Sequence, residues 1–353
     1  MTIEELAKRR LSPRTVSLLI GMVMTFATGV AMFSLPVPYV LETPGPTFDT
    51  LGAQDGADLI QVEEKPSHPV TGELRLTTVG AYGTDPGSLG LFRMIAGYFN
   101  PDEALVPYDL LYSRESTAEE REAESAAQMT SSQDSATAAA LEYLGMSVGI
   151  LIDEPLSDGA KAAFKTGDEL VSLDGKPVEG YGSLKRLLDV IEGGDEAEVA
   201  IVRDGKERTV KVVTSRDNDG RTLLGVTISF DFPVKVEFGV ENIGGPSAGS
   251  MFALGIIDKL GPQDLADGRV IAGTGTVDSD GSIGPIGGIR QKMVGARRDG
   301  AEVFLAPAAN CSEAAGHEPA GLRVIKVSSL DDAVKALSAL RSGGGDELPS
   351  CSD

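Results

Sequence analysis

The run Glu241-Asn242-Ile243-Gly244-Gly245-Pro246-Ser247-Ala248-Gly249-Ser250 crowds glycines around a serine and passes directly into the apolar stretch Met251-Phe252-Ala253-Leu254-Gly255-Ile256-Ile257. A hydroxyl at the start of an apolar helix has backbone N–H groups beside it and the positive end of the helix dipole, and both suit an oxyanion. Gly245, Pro246 and Ala248 are the backbone positions that flank this hydroxyl. A serine is a weak nucleophile until a base takes its proton. Without one, Ser247 is a helix cap and nothing more.

Helical spacing supplies the base candidate. Gly287-Gly288 opens a helix in which Ile289, Met293 and Ala296 recur at i, i+4 and i+7, and Lys292, at i+3, shares that apolar stripe. Arg290, Arg297 and Arg298 fall off it. A lysine aimed into a core is costly unless it is paired or deprotonated. Bringing a lysine from its ordinary value of about 10.4 to near neutrality takes roughly 4 kcal/mol of desolvation, which partial burial supplies. The neutral amine then accepts the serine proton. A lone lysine on such a face more often snorkels to solvent, so its role hangs on proximity to Ser247.

Four ordered segments resemble the proteolytic domain of the Lon protease family: Gly245-Pro246-Ser247-Ala248-Gly249, then Gly273-Thr274-Gly275, then Gly284-Pro285-Ile286-Gly287-Gly288-Ile289-Arg290-Gln291-Lys292, and Gly300-Ala301-Glu302-Val303-Phe304-Leu305-Ala306-Pro307 ahead of Asn310. The resemblance implies a Ser–Lys dyad, with Ser247 as nucleophile, Lys292 as base and Thr274 supporting the lysine. Thr276 stands where many members carry Glu and is given no role. No Gly-x-x-x-x-Gly-Lys-Ser/Thr loop occurs, so the ATPase module of the family is missing from this chain. That points to a membrane-anchored, ATP-independent type needing neither cofactor nor metal. A hydrolase elbow also fits Gly245-x-Ser247-x-Gly249, with Asp278 or Asp280 and His317 following in chain order. His317 lies in Gly-His-Glu-Pro, a surface loop by composition. Asp278-Ser279-Asp280-Gly281 reads as a tight turn, since a calcium loop needs a third ligand and a closing Glu.

Residues 147–215 form a second unit. Val148 to Ile152 is strand-like, and Gly167-Asp168-Glu169-Leu170-Val171-Ser172-Leu173-Asp174-Gly175 sets a strand between two turns. Leu184, Leu187, Leu188 and Ile191 stripe a helix, and Val199 to Val213 is a hairpin around Arg203-Asp204-Gly205-Lys206. The whole resembles a bacterial PDZ domain. That resemblance implies a peptide added as a strand on Val148, Gly149 and Ile150, with Leu184, Leu187 and Leu188 lining its pocket.

The elements around these motifs complete the layout. Residues 15–35 carry no charge, enough for one helical crossing of a bilayer. Lys8, Arg9, Arg10 and Arg14 precede them while Glu42 and Asp49 follow, so the positive-inside rule leaves 1–14 cytoplasmic and sends the remainder outside. A signal peptide cleaved after Gly29-Val30-Ala31 is the competing reading. Prolines 36, 38, 44 and 46 mark an extended exit, Glu73 to Val79 alternates like a strand, and Arg114 to Glu124 reads as a solvated helix or loop. Ala126 to Leu144 reads as a helix closed by Gly145. Its sequence from Met129 resembles the helix preceding the serine motif in Lon domains. The expected fold is therefore α+β: a transmembrane helix, then a Lon-type proteolytic domain split into 36–145 and 217–341 by an inserted PDZ domain at 147–215, and a flexible tail at 342–353.

Composition narrows the partners. The charge is 31 − 53 = −22, which works against tracking a phosphate backbone and excludes nucleic acid as a partner. Two histidines and two cysteines exclude zinc fingers and a dense disulfide scaffold. Spacing leaves a Cys311–Cys351 disulfide open. Expected partners are protein or peptide substrates and the membrane, and a homo-oligomer by analogy with Lon rings. The non-enzymatic alternative is a PDZ sensor or scaffold on a retired protease fold.

Overall fold

The computed structural model describes residues 12–33, 35–54, 56–63, 67–85, 87–113, 116–239 and 243–352. Lys8, Arg9 and Arg10, Arg114, and Glu241 and Asn242 lie outside the described residues. The chain opens with helix α1 (Pro13–Phe33) and strands β1 (Tyr39–Asp49), β2 (Ile60–Val62) and β3 (Glu73–Tyr82). Helix α2 (Leu91–Tyr98), strand β4 (Ala104–Pro107) and the long helix α3 (Ala118–Tyr143) follow. Next come β5 (Gly149–Pro155), α4 (Asp158–Ala163), β6 (Glu169–Leu173), α5 (Tyr181–Leu188), β7 (Glu196–Arg203), β8 (Lys206–Val213) and β9 (Val226–Asp231). The last stretch supplies β10 (Val236–Phe238), α6 (Gly249–Leu260), β11 (Val270–Gly273), β12 (Thr276–Val277), β13 (Ile283–Gly284), α7 (Ile289–Arg298), β14 (Val303–Pro307), β15 (Arg323–Val327) and α8 (Leu330–Arg341).

Contacts divide the chain into two units, Met1–Thr43 with Gly80–Ala118, and Pro44–Val79 with Glu119–Asp353. In the smaller unit, Ser12 caps α1 by accepting from the Thr15 N–H at 3.2 Å, and Pro13 takes the first helical position, where its missing donor costs nothing. Helix α1 is long and apolar enough to cross a membrane, and none of its apolar window is buried. Beyond it, Tyr39 to Glu42 pairs antiparallel with Pro107 to Ala104. Val40, Leu41, Leu89 and Tyr108 form the buried contacts there.

In the larger unit, β15, β14, β11 and β3 lie side by side and parallel, with β1 next to β3. Alternation along these strands sends side chains to two faces. Leu74, Leu76, Ile271, Val303, Leu305 and Ile325 meet α3, α6 and α8 on one face. Ala272, Phe304, Ala306 and Val324 meet α7, through Ile289, Met293 and Ala296, on the other. The first core takes residues from both sides of the intervening segment, because Met129, Ala136 and Ala140 of α3 pack with Met251, Phe252 and Leu254 of α6.

Residues 149–231 keep a core of their own, built on Ile150, Ile152, Phe164, Leu170, Leu173, Leu184, Val199 and Ile201. Their strands run β8-β7-β6-β5-β9. The hairpin turn falls where the sequence places it, with Arg203 opposite Lys206 and Asp204 at φ 53°.

The glycine-rich run after Arg341 leads into a tied end: Lys326 N–H donates to Pro349 O at 2.9 Å, Ser352 Oγ bonds Glu318 at 2.7 Å, and Cys351 is disulfide-bonded to Cys311 across 40 residues. Closing a loop of that length removes entropy from the unfolded chain. Cys351→Ser is therefore expected to lower unfolding free energy by about 2–4 kcal/mol, measured as a shift in the urea midpoint that reductant abolishes.

Candidate active site

The serine and the lysine come from opposite faces of the sheet. Ser247 precedes α6, whose buried side chains fix that helix on one face; Lys292 rides α7 on the other. They meet past the carboxyl end of β11, where Gly273 ends the strand and Thr274 turns away, a usual place for sites in parallel sheets. Lys292 Nζ lies 2.9 Å from Ser247 Oγ and 3.1 Å from Thr274 Oγ1. Thr274 Oγ1 in turn donates to the Ser247 carbonyl at 3.0 Å, and Gly275 N–H donates to the same oxygen at 2.9 Å. Lys292 is 3% exposed and Thr274 1%, while Ser247 is half-buried and reachable.

The turn ahead of the serine depends on backbone only glycine adopts easily, since Gly245 sits at φ 85°. Of the three backbone positions singled out beside the hydroxyl, two are not oxyanion donors. Gly245 N–H is spent on Ser125 O at 3.2 Å, and Pro246 has no N–H. Pro246 instead accepts from Ser132 Oγ at 3.1 Å through its carbonyl. Ala248, at the N-terminal end of α6, keeps its place; among the described residues its N–H has no backbone acceptor.

Two residues to which the motifs assign no role brace the site. Ser132, on α3, braces the serine turn from 114 positions away in sequence. Asn310 holds the loop that enters α7, its Oδ1 accepting from Ile286 N–H at 2.9 Å and its Nδ2 donating to Ile286 O at 2.8 Å. A buried amide whose two ends grip the N–H and C=O of one residue leaves no periodic signal. The hydrolase alternative is not assembled. His317 is exposed with Nδ1 3.2 Å from Ala315 O, Asp278 is exposed, and Asp280 is engaged by Lys185. Thr276 stands in β12 opposite Gly284, and nothing places it at the dyad.

The second unit's groove is displaced from its expected position. Ile150 pairs with Leu170 on one side and Phe230 on the other, and Gly149 pairs with Asp231. Strand β5 is thus interior, so Val148, Gly149 and Ile150 offer no free edge to a peptide; β9 takes that edge. A groove of about 460 Å³ opens between α5 and β9, lined by Tyr181, Leu184, Leu188, Ile228 and Phe230 and flanked by Ser131 and Asp278. All three leucines pack with the module core, and Leu184 and Leu188 also line the groove whereas Leu187 does not.

Helix α5 is also clamped to the protease-like core. Glu142 of α3 accepts from the N–H groups of Tyr181 and Gly182, and Lys185 pairs with Asp280 in the β12–β13 turn. Burial pushes the Glu142 carboxyl up, against the pull of those two N–H groups. Burial also pushes Asp280 up, but Lys185 and Ser282 outweigh it and hold the carboxyl low.

A family model described as the Lon protease (S16) C-terminal proteolytic domain matches residues 163–339. Lon proteases of Campylobacter concisus and Vibrio parahaemolyticus are similar, at 27% identity over 183 residues and 26% over 181. Each alignment covers 48% of this chain, and 22% and 21% of the relative, so the chain spans about a fifth of the length of those proteins. A probable periplasmic serine endoprotease, DegP-like, of Pseudomonas fulva is 39% identical over 66 residues, 18% of this chain and 14% of that protein. Among solved structures, the PDZ domain of an SdrC-like protein of Listeria monocytogenes aligns at 17% identity and TM-score 0.21, covering 23% of this chain and 86% of that one.

Removing the Asn310 amide strands both polar groups of Ile286. Asn310→Ala is expected to cost about 1–3 kcal/mol in thermal unfolding, with Asn310→Asp intermediate because it keeps the acceptor and loses the donor.

Proposed function

The chain belongs to the family of the Lon protease C-terminal proteolytic domain, and from that premise we propose that it is a membrane-anchored serine endopeptidase that works through a Ser247–Lys292 dyad without ATP. The observation that carries this reading is the 2.9 Å approach of a 3%-exposed amine to a reachable serine hydroxyl. Burial penalises the ammonium, and the neutral amine has a lone pair to receive the serine proton. Thr274 positions it: the threonine hydroxyl is committed to Ser247 O, so its oxygen is left to accept an amine N–H, which turns the lone pair toward Ser247 Oγ.

In the reaction, Lys292 takes the Ser247 proton as Oγ bonds the scissile carbonyl carbon. The resulting oxyanion is stabilised by the Ala248 N–H and the α6 dipole. Collapse breaks the C–N bond, and the leaving amine takes the proton held on Lys292. Water then loses a proton to Lys292 and attacks the acyl carbon; the C–Oγ bond breaks, and Ser247 Oγ takes that proton back from Lys292 as the acid product leaves. The substrates are proteins or peptides, presented by the 149–231 module, which is inserted between the two halves of the protease domain and extends past the expected boundary at 215 because β9 joins its sheet. With the charge bias of the N-terminus, α1 anchors the chain and leaves the dyad outside the cytoplasm. Peptide ends enter the module between β9 and α5. A sensor or scaffold lacking activity has no use for an aligned serine, lysine and threonine.

Purified full-length chain in detergent tests the dyad. Ser247→Ala and Lys292→Arg are each expected to lower peptide cleavage by about 10³-fold or more, with the double variant no worse, because the two groups act as a unit. Arginine keeps the positive charge but never deprotonates. Thr274→Ala, a loss of positioning, is expected to cost about 10²-fold, with Thr274→Ser near wild type. His317→Ala should change little, and kcat/KM should rise with pH as the amine deprotonates. Activity in Lys292→Arg with loss in His317→Ala would overturn the dyad.

The groove makes a separate prediction. Leu188→Glu puts a charge into its apolar wall and is expected to weaken binding of C-terminal peptides at least about tenfold, read by fluorescence anisotropy, while hydrolysis of a short unanchored peptide stays near wild type.

A further inference from the structure

Large apolar side chains left in solvent concentrate in the smaller unit. Outside α1, six aromatic rings among the described residues are exposed, and five of them, Tyr39, Tyr82, Phe92, Tyr98 and Phe99, belong to that unit. Phe99 is 78% exposed, Leu110 76% and Tyr98 73%, values unlike a surface that faces only water. Helix α2 accounts for most of this. Gly97 turns inward, so close to Leu41 that a Cβ there would lie 2.4 Å from its methyl carbon, while Phe92, Ile95 and Phe99 recur at i, i+3 and i+7 on the outer side. A helix apolar on both sides is one that something covers.

Position and charge identify the cover. The start of α2 is tied to the exit of α1: Leu91 N–H donates to Leu35 O at 3.0 Å, Val37 N–H donates to Leu89 O at 3.1 Å, and Pro36 bridges Gly90. Eight residues of helix extend about 12 Å, so the whole outer face stays within reach of the point where α1 leaves a bilayer. Rings with a polar edge suit the headgroup layer. Arg93 is bound by both carboxylate oxygens of Glu103, at 2.7 and 2.8 Å, and lies 5.7 Å from the Tyr82 ring centre, which removes it as a phosphate ligand. The other described charges of 80–113 are acidic, Asp85, Asp102 and Asp109. No basic cluster is present among them to draw anionic lipid, so the attraction is apolar insertion.

We propose that the outer face of α2, with Tyr98, Phe99 and Leu110, lies in the headgroup layer of the bilayer that α1 crosses, docking the smaller unit on zwitterionic lipid. This rests on the reading of α1 as a membrane span. The chain has no tryptophan, so a single introduced one reports its own surroundings. Full-length protein carrying Phe26→Trp, Ile95→Trp or Phe99→Trp is reconstituted in phosphatidylcholine vesicles with and without brominated acyl chains. Ile95→Trp and Phe99→Trp are each expected to lose about half or more of their emission to the bromolipid, as an interfacial ring does. Either of them folds independently of the other, which keeps the test open if one is lost. Quenching of Phe26→Trp alone overturns the docking and leaves the span intact. No quenching of Phe26→Trp removes the span and the docking together. Blue-shifted Phe99→Trp emission without quenching, accompanied by cross-linked dimers, assigns the face to a second copy and overturns the lipid reading.

Discussion

The approach of a buried lysine amine to a serine hydroxyl, 2.9 Å between Lys292 Nζ and Ser247 Oγ, joins elements from the two faces of the larger unit's sheet. Helices α6 and α7 occupy opposite faces of one sheet, and a sheet is impermeable to side chains along its strands. The two can meet only beyond a strand's carboxyl end. Strand β11 stops at Gly273, where a Cβ would crowd the Met251 sulfur at 2.6 Å, and Thr274 then turns into the gap. The threonine links the faces by bonding the Ser247 carbonyl on one side and Lys292 on the other.

Burial of a lysine is not by itself a mark of chemistry in this fold. Lys259, near the end of α6, is 5% exposed, close to Lys292. Its Nζ donates to Ile60 O at 2.6 Å and lies 3.6 Å from Asp58, beside the negative end of its own helix. These contacts tie β2 to the helix. Lys292 instead meets two hydroxyls, Ser247 Oγ at 2.9 Å and Thr274 Oγ1 at 3.1 Å. The same side chain at the same depth thus reaches a carbonyl and a carboxylate in one place and hydroxyls in the other.

The clamp on α5 gives the groove and the dyad a common support. One wall of the groove is held by Glu142 of α3, and α3 also carries Ser132, which braces the Pro246 carbonyl. The other tie, Lys185 to Asp280, lands on the turn after β12, three positions from Val277. Val277 packs in turn against Gly249 at the start of α6. The wall and the Ser247 turn therefore share two mechanical paths of a few residues each, through packed helices or a tight turn rather than a free loop.

Local order in the chain was enough to single out Ser247 and Lys292, which the fold brings together. Glycines around Ser247, the apolar run behind it and the stripe holding Lys292 are patterns within ten or so residues, and their physical meaning does not depend on what lies across the fold. Helix α1, helix α3 and the β7–β8 hairpin were legible for the same reason. Contacts between distant segments were not. The parallel pairing of β3 with β11, the Asn310 grip on Ile286 and the Ser132 brace join distant segments, and the local patterns that include Asn310 and Ser132 do not record what those side chains hold. The misplaced peptide edge has the same origin: Val148 to Ile152 reads as a strand either way, and only the return of Val226 to Asp231 beside it decides that its edge is filled. Oxyanion donors divided along the same line, since glycine content marks where the backbone is open, while Ser125, supplied by another helix, decides that Gly245 has no proton to spare. Residue type and spacing determined which groups could react; tertiary pairing alone determined which of them are free to.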